Sequence, residues 1–492
     1  MAEAKSKGRT MRRVLLVANH AAMNKNMLRW AHILKRDGLW EPLVFSVSGD
    51  LGPLVDDMRI AQDVPILYAP PGLGWVHHLA GAKAPAEAAA GAPARTASGD
   101  GGLRARIIGP LRDFGWWGAV RSVLSIFRAV RTIRRQIHYL RAFLAENGID
   151  AILLSESSPA YGAPVFFRAA GHAGIPVVTV PIDHYGTRDH ADMYRTETSL
   201  HVRGGLNRVA AFLCPKWVVD VQELRILRIP AEQVLAQEIA GIASPEPWRM
   251  VGAWEDGIAT AGRAMRDFFV GEGVQERRLH VVGNPELDLM AMARERGRGE
   301  RHENLVAGDR RPIILTALVA DHFLSGRSEA EYQSFDAIVE AWVRPLGAIA
   351  NHQVIVGLHP SQRYEDFRYI EQWGVKIYRG DIIDLIPFCD IYVACSSTAR
   401  LAIACAKPVV YYDIYRYTLG TTSISFGASK GTFVVLDNAH YAQALARLTS
   451  DRAQFDAVVA QQSFYAPLSG QLDGNSGRRI AGLLDQLCRP AR

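Results

Sequence analysis

Residues 390–413 read DIYVACSSTARLAIACAKPVVYYD, and this stretch decides the fold. Ile391–Ala394 is a short apolar run that ends in polar residues, which predicts a buried strand. A helical pattern follows from Arg400 to Ala406, and Lys407-Pro408 leads into a second apolar run, Val409–Tyr412. A strand, a helix and a strand in this rhythm predict a parallel β-sheet covered by helices.

The same rhythm extends through most of the chain. In the second half it predicts further strands at Pro312–Thr316, Gln353–Leu358 and Phe433–Leu436. In the first half it predicts strands at Arg13–Asn19, Pro42–Val47, Ala151–Ser155, Val177–Pro181, Val209–Cys214 and Leu279–Val282. Helices are expected between them, including one over Gly257–Gly271. The expected class is therefore α/β.

The length of 492 residues suits two domains rather than one core. We expect two doubly wound, Rossmann-like domains that face a cleft, one over residues 1–294 and the other over residues 311–475. A closing C-terminal helix is expected within residues 476–492. The first domain carries an insertion at residues 80–145, which begins as an Ala-, Gly- and Pro-rich linker.

The bulk composition indicates a cytoplasmic protein. No run of 18 apolar residues is present, and the run Val14–Ala18 is too short for a signal peptide core. The five cysteines show neither a paired pattern nor metal-ligand spacing, which favours a reducing compartment. The formal net charge is +6.

One segment accounts for the whole positive net charge, because it carries +8 and the rest of the chain sums to about −2. Residues 104–141 contain nine arginines, no lysine and one acid, Asp113. Apolar residues recur there at helical steps, and Phe114, Trp116 and Trp117 stand at the beginning. One interpretation is an amphipathic segment, residues 104–144, that docks on anionic lipid. The other is a pair of surface helices with solvated arginines. Because the rest of the chain is nearly neutral, general nucleic-acid binding is not expected.

In the second half, polar residues follow two strands that should end at the same edge of the sheet. His359-Pro360 follows one strand, and Ser396-Ser397-Thr398 follows another and precedes a helix. Hydroxyl groups and backbone N–H groups at a helix start bind phosphate, and a histidine can add a further hydrogen bond. The alternative is that the serines only cap the helix. Asp381 is expected as a helix cap, with contact to the donor as a second possibility.

These motifs resemble those of known enzymes. The order LHP (358–360), DIIDLI (381–386), DIYVACSST (390–398) and KPVVYYD (407–413) resembles the C-terminal half of GT-B glycosyltransferases. It is similar to that of bacterial sialyltransferases, capsule Kdo transferases and CDP-glycerol glycerophosphotransferases. The segment LHVVGNP (279–285) resembles one in that superfamily and in UDP-N-acetylglucosamine 2-epimerases. The resemblance covers most of residues 12–79 and 150–487, and implies donor contacts at Gly283 and Asn284.

The departures from these families are informative. The C-terminal half, residues 311–475, lacks the Glu-x7-Glu pattern of retaining GT-B enzymes, which favours inversion. The segment after Thr398 lacks the Gly-Gly-x-Gln-Glu run of the epimerases, and residues 181–186 lack their Glu-Ala-Gly motif. Both differences weigh against an epimerase.

An inverting transfer needs a base from the first domain. Glu156 directly follows the strand AILLS and is the first candidate, and Asp183 and His184 follow the next strand. Asn19 and His20 end the first strand, where we expect contact with the acceptor. For each of these residues, a helix cap or a loop hydrogen bond is the alternative.

The sequence therefore predicts a metal-independent, inverting glycosyltransferase without a cofactor. Its partners would be a CMP- or UDP-linked sugar and a surface glycan or lipid-linked acceptor, with peripheral attachment to the inner membrane. The alternatives are a hydrolysing nucleotide-sugar 2-epimerase, a CDP-polyol phosphotransferase and a non-catalytic membrane-bound GT-B scaffold.

Overall fold

The structure is a computed structural model. It describes residues 11–19, 21–47, 49–58, 60–75, 116–182, 184–295, 309, 311–321, 331–359, 362–415 and 429–489. Three residues singled out by the sequence, His20, Asp183 and Pro360, lie outside these ranges, as do the linker and residues 104–115.

The first half of the chain forms a parallel sheet of seven strands in the order β3-β2-β1-β4-β5-β8-β9. Its strands are β1 (Arg13–Ala18), β2 (Glu41–Ser46), β3 (Ile66–Tyr68), β4 (Ala151–Leu154), β5 (Val177–Thr179), β8 (Gly257–Thr260) and β9 (Leu279–Val281). A separate antiparallel hairpin, β6 (Val218–Val221) and β7 (Leu224–Leu227), is inserted between β5 and β8.

The second half forms a parallel sheet of six strands in the order β12-β11-β10-β13-β14-β15. Its strands are β10 (Ile313–Ala317), β11 (Gln353–Gly357), β12 (Lys376–Tyr378), β13 (Ile391–Ala394), β14 (Val409–Tyr412) and β15 (Thr432–Val435). In both sheets the order reverses beside the first strand, which is the doubly wound pattern that the sequence predicts.

Helices cover both sheets. In the first half they are α1 (Ala21–Arg36), α2 (Gly52–Met58), α3 (Trp116–Glu146), α4 (Ala163–Ala173), α5 (Thr187–Tyr194), α6 (Gly205–Leu213), α7 (Ala231–Ala240), α8 (Arg263–Gly271) and α9 (Pro285–Glu295). In the second half they are α10 (Phe335–Gly347), α11 (Tyr364–Phe367), α12 (Ala399–Ala404), α13 (Asn438–Ser450), α14 (Arg452–Ser469) and α15 (Ser476–Leu487).

The central strands are buried on both faces, which explains their uninterrupted apolar sequences. In β1, alternate side chains enter two different cores: Val14 and Leu16 pack on one side of the sheet, and Leu15 and Val17 pack on the other. Strand β10 divides its side chains in the same way, with Ile314 on one side and Leu315 on the other. Each sheet is therefore the middle of three layers.

The last helix returns to the first sheet. Ile480 and Leu484 of α15 are fully buried in the core that contains Val14 and Leu16 of β1. The preceding helix, α14, contacts both α12 of the second half and α8 of the first. The C-terminal segment therefore ties the two halves together.

Two expectations about local structure were wrong. Val209–Cys214 lies mostly in helix α6, because Ala210 and Ala211 form a small apolar face that packs beside Trp217. Gly257–Thr260 begins the expected Gly257–Gly271 helix but forms strand β8, where all four residues are buried. Short apolar runs fit a strand or a helix equally well, and the tertiary contacts decide between them.

The arginine-rich segment is helical, as its periodicity predicts, over the part that the structure describes. Ile126, Val130, Leu140 and Leu144 of α3 are buried, and the helix packs against α4 and α7. Among the described helices, none combines the length and the hydropathy needed to cross a bilayer.

Candidate functional site

The candidate site lies where the strand order of each sheet reverses, because ligands of doubly wound sheets bind beyond the carboxyl ends of the strands at that point. In the first sheet the reversal lies between β1 and β4, which are followed by Asn19 and by Ser155-Glu156. In the second sheet it lies between β10 and β13, and Ser396 follows β13 by two residues.

Contacts from helix α1 show that these two edges face each other. This helix follows β1, and its Arg29 forms an ion pair with Asp381, which follows β12 of the other sheet. Lys25, one turn earlier on α1, acts electrostatically on both Asp381 and His359. The carboxyl edges of the two sheets therefore border one cleft.

His359 stands at the end of β11 on the second side of this cleft. Part of its side chain is exposed to solvent, and protein atoms surround the rest. This partial desolvation lowers the pKa of the imidazole. Lys25 lowers the pKa further. The backbone N–H of His359 donates to Gln362 Oε1 (2.7 Å), which fixes the loop after β11. An imidazole N–H beside a lysine can donate a hydrogen bond to an anionic ligand.

Three hydroxyl groups form a short chain at the end of β13. The Tyr392 hydroxyl donates to Thr398 Oγ1 (2.8 Å), and Ser396 Oγ lies 2.7 Å from the same atom. Thr398 occupies the N-cap position of α12, but its side chain makes no capping bond among the described residues. Neither serine is the cap, so the capping interpretation does not account for these side chains.

Asp381 joins the two halves of the molecule. Its Oδ1 accepts a hydrogen bond from the Ile383 backbone N–H (3.3 Å), so it caps the short helical turn as expected. Its other oxygen accepts from Arg29, and Arg29 also donates to Glu286 at the start of α9. Burial alone would raise the pKa of Asp381, but Arg29 and Lys25 outweigh it and lower that pKa. These contacts give Asp381 an interdomain role.

Glu156, the first candidate base, is enclosed in the first half of the chain. It is only 3% exposed, and within the described residues its Oε1 has no hydrogen-bond partner. Burial raises the pKa of this carboxyl from an ordinary 4.5 to about 7, although Arg228 opposes the increase. A carboxyl with such a pKa accepts a proton at neutral pH.

Arg228 is the main residue near the candidate base that the sequence does not predict. It follows β7 of the inserted hairpin and is buried, and its Nη2 donates to Ser158 Oγ (3.0 Å). Its guanidinium lies 4.7 Å from the ring centre of Tyr194 and 5.7 Å from that of Trp248. In the sequence LRILRIP, the only signal is an arginine between apolar residues.

The other candidates of the first half are placed as follows. Asn19 is fully buried: its Nδ2 donates to the Tyr161 carbonyl (3.2 Å), and its Oδ1 accepts from Ser155 Oγ (3.3 Å). It therefore ties the end of β1 to the loop after β4. His184 is buried with its ring edge-on to Phe268, and borders a small cavity between the halves.

Asp189 and His190, further along the same loop, are also accounted for by local contacts. Asp189 Oδ2 accepts from the Gly186 backbone N–H (2.8 Å), which caps α5. His190 Nδ1 lies 3.0 Å from the Trp248 carbonyl oxygen. Burial, followed by the charge of Arg228, lowers the pKa of His190 to about 3, so this imidazole is neutral at ordinary pH.

Gly283 and Asn284 support the C-terminal helix. Gly283 has a φ of 104°, and a Cβ atom there would lie 2.2 Å from Ser476 Oγ. Asn284 Oδ1 accepts from the Glu286 backbone N–H (2.8 Å) at the start of α9, and Ser476 Oγ donates to its carbonyl (3.3 Å). The contacts thus explain both residues without a ligand.

Among the described residues, no group of three or more His, Cys, Asp or Glu side chains is arranged to hold a metal ion.

The pKa of Glu156 predicts how stability depends on pH. The folded state binds more protons than the unfolded state between pH 4.5 and about 7, so stability falls as the pH rises through this window. Glu156→Gln removes the titrating carboxyl and therefore this decrease in stability. We expect the variant to be more stable than the wild type by about 3 kcal/mol near pH 8 and equal to it in mild acid.

The measurement is denaturant unfolding of both proteins across this pH range. Glu146→Gln, at an exposed position of α3, is the control and should show no such trend. A constant difference at all pH values would contradict the raised pKa.

Comparison with known proteins gives the fold its name. No protein-family model matches the sequence, and neither does any curated protein. Among solved structures, Os79 from O. sativa in complex with UDP aligns over 96% of this chain and 100% of its own, with a TM-score of 0.53 and 11% identity. The calicheamicin glycosyltransferase CalG4 aligns over 98% and 100%, with a TM-score of 0.52 and 12% identity.

An epimerase structure is similar to the same degree. The UDP-GlcNAc 2-epimerase from Neisseria meningitidis bound to UDP-GlcNAc aligns over 96% of this chain and 100% of its own, with a TM-score of 0.52 and 11% identity. At these identities the similarity establishes the fold alone. The chain has the GT-B fold, with two Rossmann-like halves that face a cleft.

Proposed function

We propose that this protein is a metal-independent, inverting glycosyltransferase that uses a CMP- or UDP-linked sugar. The proposal rests mainly on one observation: phosphate-binding groups and a candidate base lie at the two sheet edges that face each other. Histidine and hydroxyl groups lie at the edge of the second sheet, and a buried glutamate with a pKa of about 7 follows β4 of the first. Transfer between two substrates needs an anion site and a base in this opposed arrangement.

The second half would bind the donor phosphate. His359 would donate a hydrogen bond to a phosphate oxygen, and Ser396, Ser397 and Thr398 would supply hydroxyl groups. Lys25 of α1 adds a positive charge from the other side of the cleft. Together these groups would stabilise the negative charge that grows on the leaving nucleotide.

The transfer step follows from this arrangement. Glu156 takes the proton of the acceptor hydroxyl, whose oxygen attacks the anomeric carbon from the face opposite the phosphate. The new C–O bond forms as the bond between the anomeric carbon and the phosphate oxygen breaks, and the electron pair leaves with the nucleotide. The configuration at the anomeric carbon is therefore inverted. Asp183 and His184 remain the second candidates for the base.

On the acceptor side, we propose a growing surface polysaccharide, such as a capsule, or a lipid-linked saccharide. The support is the resemblance of the second-half motifs to enzymes that build such polymers. We also propose a cytoplasmic enzyme attached peripherally at the inner membrane, and the support is the cysteine pattern together with the arginine-rich segment, residues 104–144.

A nucleotide-sugar 2-epimerase is the second candidate, because the fold is equally similar to that of an epimerase. The two activities differ in their need for an acceptor. An epimerase would release free sugar from UDP-N-acetylglucosamine with water alone, whereas a transferase would show this only as a slow side reaction.

Nucleotide binding tests the donor site. In a panel of CMP, CDP, UDP and GDP, we expect CMP or UDP to raise the melting temperature of the wild type, since a ligand of the folded state stabilises it by mass action. His359→Ala should weaken this binding about tenfold or more, because it removes one hydrogen bond to a charged group. Calorimetry supplies the dissociation constants.

His440→Ala is a matched control, because it removes an exposed histidine from helix α13, outside the proposed site. Equal binding by His359→Ala and the wild type would contradict the donor site. Absence of binding by all the nucleotides would contradict the proposed function.

A further inference from the structure

Large apolar side chains are exposed on neighbouring helices of the first half. On α6, Val209, Phe212 and Leu213 share one face, since they are three and four residues apart. Phe212 is 85% exposed, and Phe127 of α3 is 67% exposed. The apolar surface, as we call it, consists of Val123, Leu124, Phe127, Val209, Phe212 and Leu213.

The helices that carry this surface form one packed unit. Helices α3 and α6 both pack against α7. Ile126 and Val130 of α3 share a core with Ala236 of α7, and Leu206 of α6 packs against the same core. These buried contacts hold the helices together and leave the outer side chains in solvent. Exposed apolar groups gathered in this way mark an interaction site.

The charge around the apolar surface has one sign. Six arginines of α3 are exposed, and Glu146 at its end is the only acid in this helix. No ion pair joins these arginines to a carboxylate within the described residues. Arg121, Arg128, Arg131 and Arg135 follow helical spacing with Leu124 among them, and Arg208 lies beside Val209 on α6. Exposed positive charge and exposed apolar groups therefore occur together on both α3 and α6.

We propose that the apolar surface and the α3 arginines form one docking site for an anionic lipid membrane. Phenylalanine and leucine side chains would enter the boundary between headgroups and acyl chains, and the arginines would contact lipid phosphates. This inference rests on the proposed peripheral attachment and names its surface. The proposed docking site differs from a single amphipathic helix, because α3 buries its other face in the protein and α6 supplies part of the contact with the lipid.

Flotation of the full-length chain with vesicles tests the docking site. One set of vesicles contains phosphatidylcholine alone, and in the other a third of the lipid is phosphatidylglycerol. We expect binding to the anionic set only. Phe212→Ser and Phe127→Ser should each weaken it about tenfold through lost apolar burial. Arg128→Ser should weaken it about fivefold, as one lost charge near the surface does.

Phe464→Ser is the matched control, since Phe464 is also 85% exposed but lies on α14. It should bind like the wild type. Equal binding by Phe212→Ser and the wild type would overturn the composite surface, because α6 would then not touch the lipid. Binding to the soluble polyanion heparin but not to vesicles would overturn the membrane as the partner.

Nucleotide calorimetry on the same variants separates this inference from the proposed function. Phe127→Ser and Phe212→Ser should keep the nucleotide affinity of the wild type, because neither residue lies at the cleft. A chain that binds vesicles but no nucleotide would retain the docking site and lose the proposed activity. The converse result would overturn the docking site alone.

Discussion

Glu156→Gln is expected to lower the turnover number for sugar transfer by a factor of about a hundred to ten thousand. A general base contributes a rate factor of this size, and an amide cannot take the acceptor proton. The affinity for the donor nucleotide should not change, because Glu156 is not one of the groups proposed to bind the donor phosphate. Rates of acceptor-dependent nucleotide release, together with nucleotide calorimetry, measure both quantities.

Glu255→Gln is the matched control for loss of a buried glutamate. Glu255 is also in the first half, but its Oε1 accepts a hydrogen bond from the Gly252 backbone N–H (3.0 Å). The control should keep most of its turnover. If Glu156→Gln also keeps full turnover, Glu156 is not the base. A chain that binds nucleotide without any turnover favours the non-catalytic scaffold.

The pH profile adds a second readout for Glu156. The base acts when deprotonated, so turnover of the wild type should fall as the pH drops through about 7. Arg228 lowers the pKa of Glu156, so Arg228→Met should raise it and move the acidic limb to higher pH. A residue with a purely structural role would lower activity at all pH values without moving the limb.

The sequence predicts the architecture well because its strands are short, apolar and regularly spaced. Ile391–Ala394 and Val409–Tyr412 form strands with the predicted bounds, and Ser476–Leu487 forms the predicted helix. Val209–Cys214 has the same apolar character and yet is helical, because its alanine face fits against Trp217. The same core also contains Ala160 and Val234, which only folding brings together with Ala210, so no local pattern contains these contacts.

The candidate site is predictable to a smaller extent, for a related reason. His359, Ser396 and Glu156 follow strands, and the strand order brings each of them to the carboxyl edge of its own sheet. Arg228, which follows the inserted hairpin, acts electrostatically on Glu156, and Arg29 forms an ion pair with Asp381 across the cleft. Neither pairing leaves a trace in the spacing of the sequence. Positions at strand ends can therefore be inferred, whereas partners from other elements cannot.

Arg29→Met is expected to destabilise the protein by about 3–5 kcal/mol. The Arg29 side chain is only 5% exposed and forms ion pairs with Glu286 and Asp381, so its loss leaves two carboxylates in a poorly solvated place. Arg29, Glu286 and Asp381 come from α1, α9 and the loop after β12, so this cluster of ion pairs links the two halves of the chain. Denaturant unfolding at neutral pH measures the loss.

Arg344→Met is the control for this comparison, since Arg344 pairs with Glu340 on the exposed face of α10. An exposed pair contributes at most about 1 kcal/mol, because water and salt screen it. Similar losses for the two variants would mean that the interdomain pair is solvated in solution. A large loss of stability for Arg29→Met alone would mean that the interdomain ion pairs are shielded from water in solution. Only desolvated carboxylates make the removal of one arginine so costly.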